Sequence, residues 1–350
     1  MNNVNSQGFS IVEFMVAIAL GLIINYAVLQ VYLAQTQIYK TTNSQNVTLN
    51  VETAISQLIT PIIRSAGYLG CGSMNTAISN LINGGPPPLG LFGNTTTMIY
   101  GYSGSSSSIT ISRVNDSNSN NASDWLPNLD TSLVGQVQKG SDVLVVFGAA
   151  PPSQPITITS IADGSNTFTL LNPIDVGSVG AFGAVSDCAK SIIFNITSNA
   201  NKNIGHNSGS TPMQNATTEF PVNFQNGAQF IPVQQNAFFI GYSQGDQSAL
   251  MQGSYNGKTW DIQPLVPGIE VMKVLYGIGD NKGITQYVTA NNVKNWSQVY
   301  AVRIGFLIAG EQGSGDFNKT SYTVLDTMVN TPKDGRLRYV YEITADLRNA

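Results

Sequence analysis

The sequence predicts an α+β fold in which a long N-terminal helix packs on a β-rich, mainly antiparallel globular domain. Three observations predict it. Residues 9–34 are an almost uninterrupted apolar run, and residues 35–62 place apolar side chains at helical spacing. After residue 70 the chain alternates short β-type runs with clusters of Gly, Asn, Ser and Pro.

The apolar run from Phe9 to Ala34 is long enough to cross a bilayer as a helix, which takes about 20 residues. Glu13 is the only charged residue before Lys40. A secretory signal peptide would have a basic start, a shorter apolar stretch and a cleavage site after it. We therefore expect a membrane-spanning helix, and a carboxylate inside it requires a functional reason.

Residues 35–60 contain no Gly or Pro, and a stripe of apolar side chains at spacings of three and four predicts an amphipathic stem helix. The stripe consists of Val47, Val51, Ile55, Leu58, Ile59 and Ile62. Pro61 is predicted to kink or end this helix. An unbroken helix over 9–60 would be about 78 Å long, so its second half must leave the membrane and pack on the following domain.

The composition argues against a nucleic-acid-binding surface. Only 10% of the residues are charged, 16 Lys and Arg stand against 20 Asp and Glu, and the formal net charge is -4. Binding by counterion release needs a broad basic surface, so no nucleic-acid partner is expected.

The chain has two cysteines, Cys71 and Cys188, and one histidine, His206. A single long-range disulfide is favoured over two free buried thiols, which remain the alternative. These residues are too few for an ordinary zinc site, and His206 in "NIGHNSGS" is expected to be a solvated imidazole. The Ser clusters lack an activating base, and His206 would have to serve any Ser or Cys triad alone, so we expect no enzyme, no cofactor and no metal.

Two of the β-type runs are the most informative. Leu337–Leu347 alternates apolar with polar residues, as expected of a half-buried antiparallel strand. Val299–Ile308 is apolar on both faces apart from Arg303, which predicts a central strand whose sheet receives the stem helix. The low-complexity stretches 83–90, 115–123 and 201–218 are expected to be exposed loops.

The start of the chain resembles a type IV prepilin. A short polar leader ends in Gly8, an aromatic residue, Phe9, follows, and Glu13 is the fifth residue after the glycine, at the start of the apolar run. The resemblance implies that a prepilin peptidase cuts between Gly8 and Phe9 and methylates the new amine of Phe9. It also implies that Glu13 serves assembly by neutralising that amine.

Four further segments resemble minor pilins of the PilW type. They are "RSAGYLGC" (64–71), "LVPGIEVMKVLYGIGDN" (265–281), "NWSQVYAVRIGFLI" (295–308) and "RYVYEITADLRN" (338–349). The resemblance implies four regions: a cleaved leader (1–8), a transmembrane helix (9–34), a stem helix (35–62) and a periplasmic β-rich domain (63–350).

This resemblance implies a minor pilin in a priming or tip complex that initiates type IV pilus polymerisation. Its expected partners are the prepilin peptidase, other minor pilins, the major pilin and a tip adhesin. It would sit in the inner membrane with its C-terminal domain in the periplasm, and then in the pilus at the tip. The alternatives are a minor pseudopilin of type II secretion and a tip module for DNA uptake or adhesion.

Overall fold

The computed structural model describes residues 10–70, 77–84, 98–112, 118–150, 154–174, 182–242, 248–280 and 283–348. Within these ranges the chain forms one long helix, α1 (Ile11–Arg64), three short 3₁₀ turns (Ala122–Asp124, Ala290–Asn292, Trp296–Gln298) and twenty strands. The strands are β1 (Ala77–Asn80), β2 (Ile99–Gly104), β3 (Ser108–Thr110), β4 (Trp125–Leu126), β5 (Val143–Ala149), β6 (Ile156–Ile161), β7 (Thr167–Leu170), β8 (Phe182–Ser186), β9 (Lys190–Asn195), β10 (Ser198–Ala200), β11 (Asn203–Gly205), β12 (Gln229–Tyr242), β13 (Ser248–Tyr255), β14 (Trp260–Pro267), β15 (Ile269–Asp280), β16 (Gly283–Val288), β17 (Val299–Ala309), β18 (Ser321–Val324), β19 (Thr327–Asn330) and β20 (Arg338–Asp346).

A four-stranded antiparallel sheet in the order β16-β15-β17-β20 receives the second half of α1. Stem residues Ile55 and Ile59 are fully buried and share one hydrophobic core with Ile304, Phe306 and Ala345 of the sheet. β17 lies between β15 and β20, so the prediction of a central strand over 299–308 is confirmed.

A larger sheet of thirteen strands contains most of the middle of the chain, and β12 is its central element. The first half of β12 pairs with β8 and β6, and its second half pairs with β13, while β5 pairs across both halves. With its 14 residues, β12 therefore pairs with neighbouring strands on both of its edges. A third sheet has the order β18-β19-β3.

Pairing between the described strands is antiparallel except for β1 with β9 and β19 with β3. The helix forms where apolar residues follow a 3.6-residue period, and the strands form where β-branched and aromatic residues lie between turn residues. The predicted fold class, a long N-terminal helix on a mainly antiparallel β-rich domain, is confirmed.

The buried face of the stem differs in part from the predicted stripe. Val51, Ile55 and Ile59 are buried as expected, but Val47 and Leu58 are 43% and 42% exposed. The side chains that complete the buried line are Ser44, Thr48 and Ile63. The predicted apolar stripe is wider than the helix face that the sheet covers. The two buried hydroxyls are satisfied by hydrogen bonds, because Thr48 donates to the Ser44 carbonyl and Ser44 accepts from the Glu311 N–H.

Pro61 does not end α1 directly, since the helix continues to Arg64 and the N–H of Ser65 donates to the carbonyl of Pro61. The "RSAGYLGC" segment then joins the stem to β5. The Gly67 N–H donates to the Phe147 carbonyl at 3.0 Å. Gly67 has a φ of 73°, a left-handed conformation that glycine adopts without strain.

The segment 201–218 is not simply an exposed loop, so this prediction was wrong in part. It contains β11, and the side chain of Asn215 is fully buried. The Asn215 carbonyl oxygen accepts from the Asn195 N–H at 2.7 Å, and its amide donates to the Asn195 carbonyl at 2.8 Å. A polar residue can be buried when it replaces a missing backbone partner in this way.

Candidate functional site

The first half of α1 packs against nothing in the part of the chain that the structure describes. Large apolar side chains cover this half on all sides, and Ile11, Leu22 and Leu33 are 79%, 65% and 53% exposed. Full burial of such a side chain is worth roughly 1.5 to 3 kcal/mol. By length and composition the helix can cross a membrane. This half of the helix therefore requires lipid or other apolar helices around it.

Polar contacts fix the stem to the loop that follows β17, where the helix first meets the domain. The Thr41 hydroxyl donates to the Ser314 carbonyl at 3.0 Å, and the Ser44 hydroxyl accepts from the Glu311 N–H at 3.1 Å. A Cβ on Gly310 would lie 2.8 Å from the Ser44 Cβ, so the close approach requires glycine there. The exposed half of α1 thus projects from a helix that is held at its other half.

Glu13 takes part in the N-terminal cap of α1. The Ser10 hydroxyl accepts from the Val12 N–H at 3.3 Å, and the Glu13 Oε2 accepts from the Ser10 N–H at 3.1 Å. This reciprocal arrangement is a capping box, which satisfies N–H groups that the first helical turn leaves unpaired. The sequence predicted a role for Glu13 in assembly, and the structure adds a role within its own helix.

The predicted processing site and disulfide are described only in part. Gly8, Phe9 and Cys71 lie outside the described residues. Cys188 follows β8 with a φ of 68°, and its N–H donates to the Ser186 hydroxyl at 3.3 Å. Cleavage after Gly8, methylation of Phe9 and the Cys71–Cys188 bond remain predictions.

His206 is buried, so the prediction of a solvated imidazole was wrong. The side chain is 1% exposed, its ring stacks on Phe220 at a centroid distance of 4.1 Å, and Phe168 and Phe194 lie near it. Its Nδ1 lies 2.9 Å from the Thr218 carbonyl, which can only accept, so Nδ1 carries the hydrogen. Pairing of β11 with β7 places the ring in this aromatic cluster.

We expect the stability of the folded chain to fall because of His206 as the pH is lowered through the interval around and below 6.5. Burial lowers the pKa of His206 below its ordinary value of 6.5, so the unfolded chain binds a proton at a higher pH than the folded chain. The contribution is complete above 6.5 and is lost as pH falls toward the folded pKa. Urea unfolding at a series of pH values measures the slope.

His206→Phe is the comparison, because it keeps an aromatic ring but removes the only imidazole in the chain. The variant should show a flatter dependence of unfolding free energy on pH across this interval, whatever its stability at pH 7. An equal slope in both proteins would contradict the prediction.

Two buried ionic contacts were not anticipated from the sequence. The Lys273 ammonium lies 2.5 Å from the Asp142 carboxylate, and their side chains are 7% and 1% exposed. Arg338 donates through one edge to Glu270, with a shortest distance of 2.7 Å, and through another to Asp334 at 2.8 Å. A charged residue inside a run that otherwise predicts a buried strand, as at Lys273, was the available signal.

These ionic contacts join strands and loops within the folded domain. Among the described residues there is no cluster of three or more His, Cys, Asp or Glu side chains that could hold a metal ion. The candidate functional surface is therefore the exposed half of α1 with the domain that carries it.

The domain that carries the stem helix matches a known protein family. Residues 237–349 match the model of the family described as type IV pilus-assembly protein W, PilW. This match confirms the PilW resemblance. It covers the second half of β12 and every strand from β13 to β20, including the whole four-stranded sheet on which the stem packs.

Two further comparisons complete this result. A type IV-like pilin from Thermus thermophilus aligns at 22% identity over 33% of this chain and 67% of its own, with a TM-score of 0.21. No curated protein matches the chain. The resemblance to type IV pilins therefore rests on the PilW match over residues 237–349. Pilins of this family are structural, non-enzymatic proteins.

The PilW match and the architecture support a pilin related to type IV pili, with other pilins as partners and a membrane-anchoring helix. Strands β1 to β11 lie outside the matched residues. None of the four segments that resemble PilW-type pilins lies within these strands.

Proposed function

We propose that this chain is a minor pilin that takes part in type IV pilus assembly, as a member of the priming or tip complex from which the pilus polymerises. The observation that carries the proposal is the exposed apolar half of α1, whose other half packs on the sheet that the PilW family model covers. Membrane lipid would surround this half before assembly, and the helices of neighbouring pilins would surround it afterwards.

The proposed life cycle uses the four regions expected from the sequence. Prepilin peptidase would remove residues 1–8 and methylate the amine of Phe9, and residues 9–34 would hold the chain in the inner membrane. The stem (35–62) and the domain (63–350) would lie in the periplasm until the subunit enters the pilus tip, in contact with minor pilins, the major pilin and an adhesin. The matched family is one of pilus assembly, which favours a pilus over a secretion pseudopilin.

Substitutions at Glu13 test this proposal and separate its two roles. Glu13→Val removes both the charge and the cap, whereas Glu13→Gln can still accept from the Ser10 N–H at the third helical position. If Glu13 neutralises the cleaved amine in a growing pilus, both variants should reach the membrane and both should fall at least about tenfold in sheared pili, since an amide does not pair with an ammonium.

Immunoblots of membrane and pilus fractions measure the outcome. Gly8→Val serves as the reference for a chain that is inserted but remains a precursor, seen by its unshortened mass. Wild-type incorporation of Glu13→Val would refute the assembly role. Normal incorporation of Glu13→Gln, with loss of Glu13→Val, would assign the residue to helix capping alone.

A further inference from the structure

A cleft of about 490 Å³ lies where the stem helix ends. Its lining comes from the last turn of α1, from the segment that follows it, and from the end of the chain, 280 or so residues later. The lining residues are Thr60, Pro61, Arg64, Ser65, Tyr68 and Arg348. Two segments that carry the PilW resemblance, "RSAGYLGC" and "RYVYEITADLRN", therefore meet at one site.

The cleft contains two guanidinium groups and, among its described lining residues, no carboxylate. Both Arg64 and Arg348 are exposed, and neither forms a hydrogen bond or ion pair with a described residue. The contrast is with Arg338, which is buried between Glu270 and Asp334. In a chain with only 16 Lys and Arg in 350 residues, two unpaired arginines at one cleft form a concentrated positive site.

The two arginines reach the cleft from different elements. Arg64 is in the last turn of α1, where a cation interacts favourably with the helix dipole. Arg348 follows β20 and comes from outside the helix. Two like charges at one cleft repel each other unless an anion lies between them.

The Tyr68 phenol adds one neutral donor to the lining. The Ser65 hydroxyl already donates its hydrogen to the Ile62 carbonyl at 3.0 Å, and the Thr60 Oγ1 atom is buried, so neither hydroxyl supplies a donor to the cleft. The donors are therefore the phenol and the two guanidinium forks. They suit an oxyanion with more than one oxygen, since Arg binds carboxylate and phosphate in a bidentate manner.

The position of the cleft decides between the sources of such an oxyanion. Arg64 lies 30 residues beyond Ala34, the end of the apolar run, which is about 45 Å along the helix at 1.5 Å per residue. Lipid headgroups at the membrane surface are therefore out of reach in the inserted subunit. A protein that docks at the membrane-distal end of the stem can reach the cleft.

We propose that the Arg64–Arg348 cleft binds carboxylate side chains on an acidic peptide segment of a protein partner. The contact would be made at the membrane-distal end of the stem, away from the exposed half of α1. It is a separate interaction surface from the helix bundle proposed above, and it does not depend on whether Glu13 acts in assembly. Salt should weaken it, because both arginines are exposed.

The test uses the full chain in a neutral detergent and a fluorescein-labelled hexaglutamate peptide as the probe, with binding followed by fluorescence anisotropy. The double variant Arg64→Gln/Arg348→Gln should bind at least about tenfold more weakly, which corresponds to a loss of about 1.4 kcal/mol over the two charge-assisted contacts together. The double variant Arg64→Lys/Arg348→Lys keeps the charge and should recover only part of the affinity, because lysine lacks the bidentate fork.

Lys258→Gln/Lys333→Gln is the matched control, because it removes two exposed charges elsewhere on the surface. It should change the affinity less than about twofold if binding is localised at the cleft. Equal losses of affinity in Arg64→Gln/Arg348→Gln and in the lysine control would overturn the proposal. Undetectable binding of the peptide to the wild-type chain would also overturn it. A labelled oligothymidine tests phosphate in parallel, and arginine-dependent binding of that probe without hexaglutamate binding would also overturn the proposal.

Discussion

Replacing Asp142 by alanine is expected to lower the free energy of unfolding by about 3 to 5 kcal/mol, because the substitution leaves the buried Lys273 ammonium without its partner. The carboxylate also accepts from the Gly104 N–H and the Val274 N–H, both at 2.8 Å. Burial raises the pKa of the Asp142 carboxyl, and the ammonium and the two N–H groups oppose that shift. The Lys273 ammonium and the two backbone N–H groups therefore all lose the carboxylate that they share.

The measurement is urea unfolding of the full chain in neutral detergent, followed by tryptophan fluorescence. Trp125 is fully buried and donates to the Ser141 carbonyl at 2.8 Å, next to Asp142, so it reports on this part of the core. Lys139→Ala is the control, because it breaks a pair with Asp124 in which the lysine is 63% exposed. The control should cost no more than about 1 kcal/mol. Similar losses in Asp142→Ala and Lys139→Ala would contradict the prediction.

Local patterns were sufficient to predict the parts of the fold that meet one simple neighbour. The apolar run and the stem gave one helix, and the alternation over 337–347 gave β20, whose Tyr341 and Ile343 face the core while Glu342 and Thr344 are exposed. In these segments the period of the side chains directly reflects which face is covered. Glu13 came instead from the resemblance to prepilins, and its role in assembly stays a prediction. Its cap contact, between residues three positions apart, was not predicted.

Features formed between distant segments could not be predicted from local patterns. His206 lies in a polar stretch, and its burial follows from the pairing of β11 with β7, more than 30 residues away. The Lys273–Asp142 contact spans 131 residues. Arg64 and Arg348 line the same cleft because the four-stranded sheet brings the end of the chain close to the end of the stem. Partners of this kind depend on strand order, which one sequence does not reveal.

Arg338→Met is expected to destabilise the folded chain by about 3 to 5 kcal/mol, because it removes the guanidinium that two buried carboxylates, Glu270 and Asp334, both contact. The Arg338 side chain is 1% exposed, and it contacts both oxygens of Glu270 and both oxygens of Asp334 at 2.7 to 3.1 Å. Arg338→Lys keeps a charge but loses the planar fork, so an intermediate loss is expected. Arg303→Met, on the neighbouring strand and only partly buried, is the control and should cost about 1 kcal/mol.

The position of Asp334 gives this variant a second, local effect on the stem. Asp334 lies next to the Gly335 carbonyl, which accepts from the Gly315 N–H at 2.6 Å, and the Gly310 N–H donates to the Leu337 carbonyl at 2.8 Å. The loop from Gly310 to Gly315 contains Glu311, whose N–H donates to the Ser44 hydroxyl of α1. Loss of the Arg338 contacts to Asp334 should therefore loosen the loop that holds the stem. Hydrogen exchange at the amides of Gly310 and Glu311 should accelerate in Arg338→Met more than exchange within β17, whereas uniform acceleration would show that only global stability has changed.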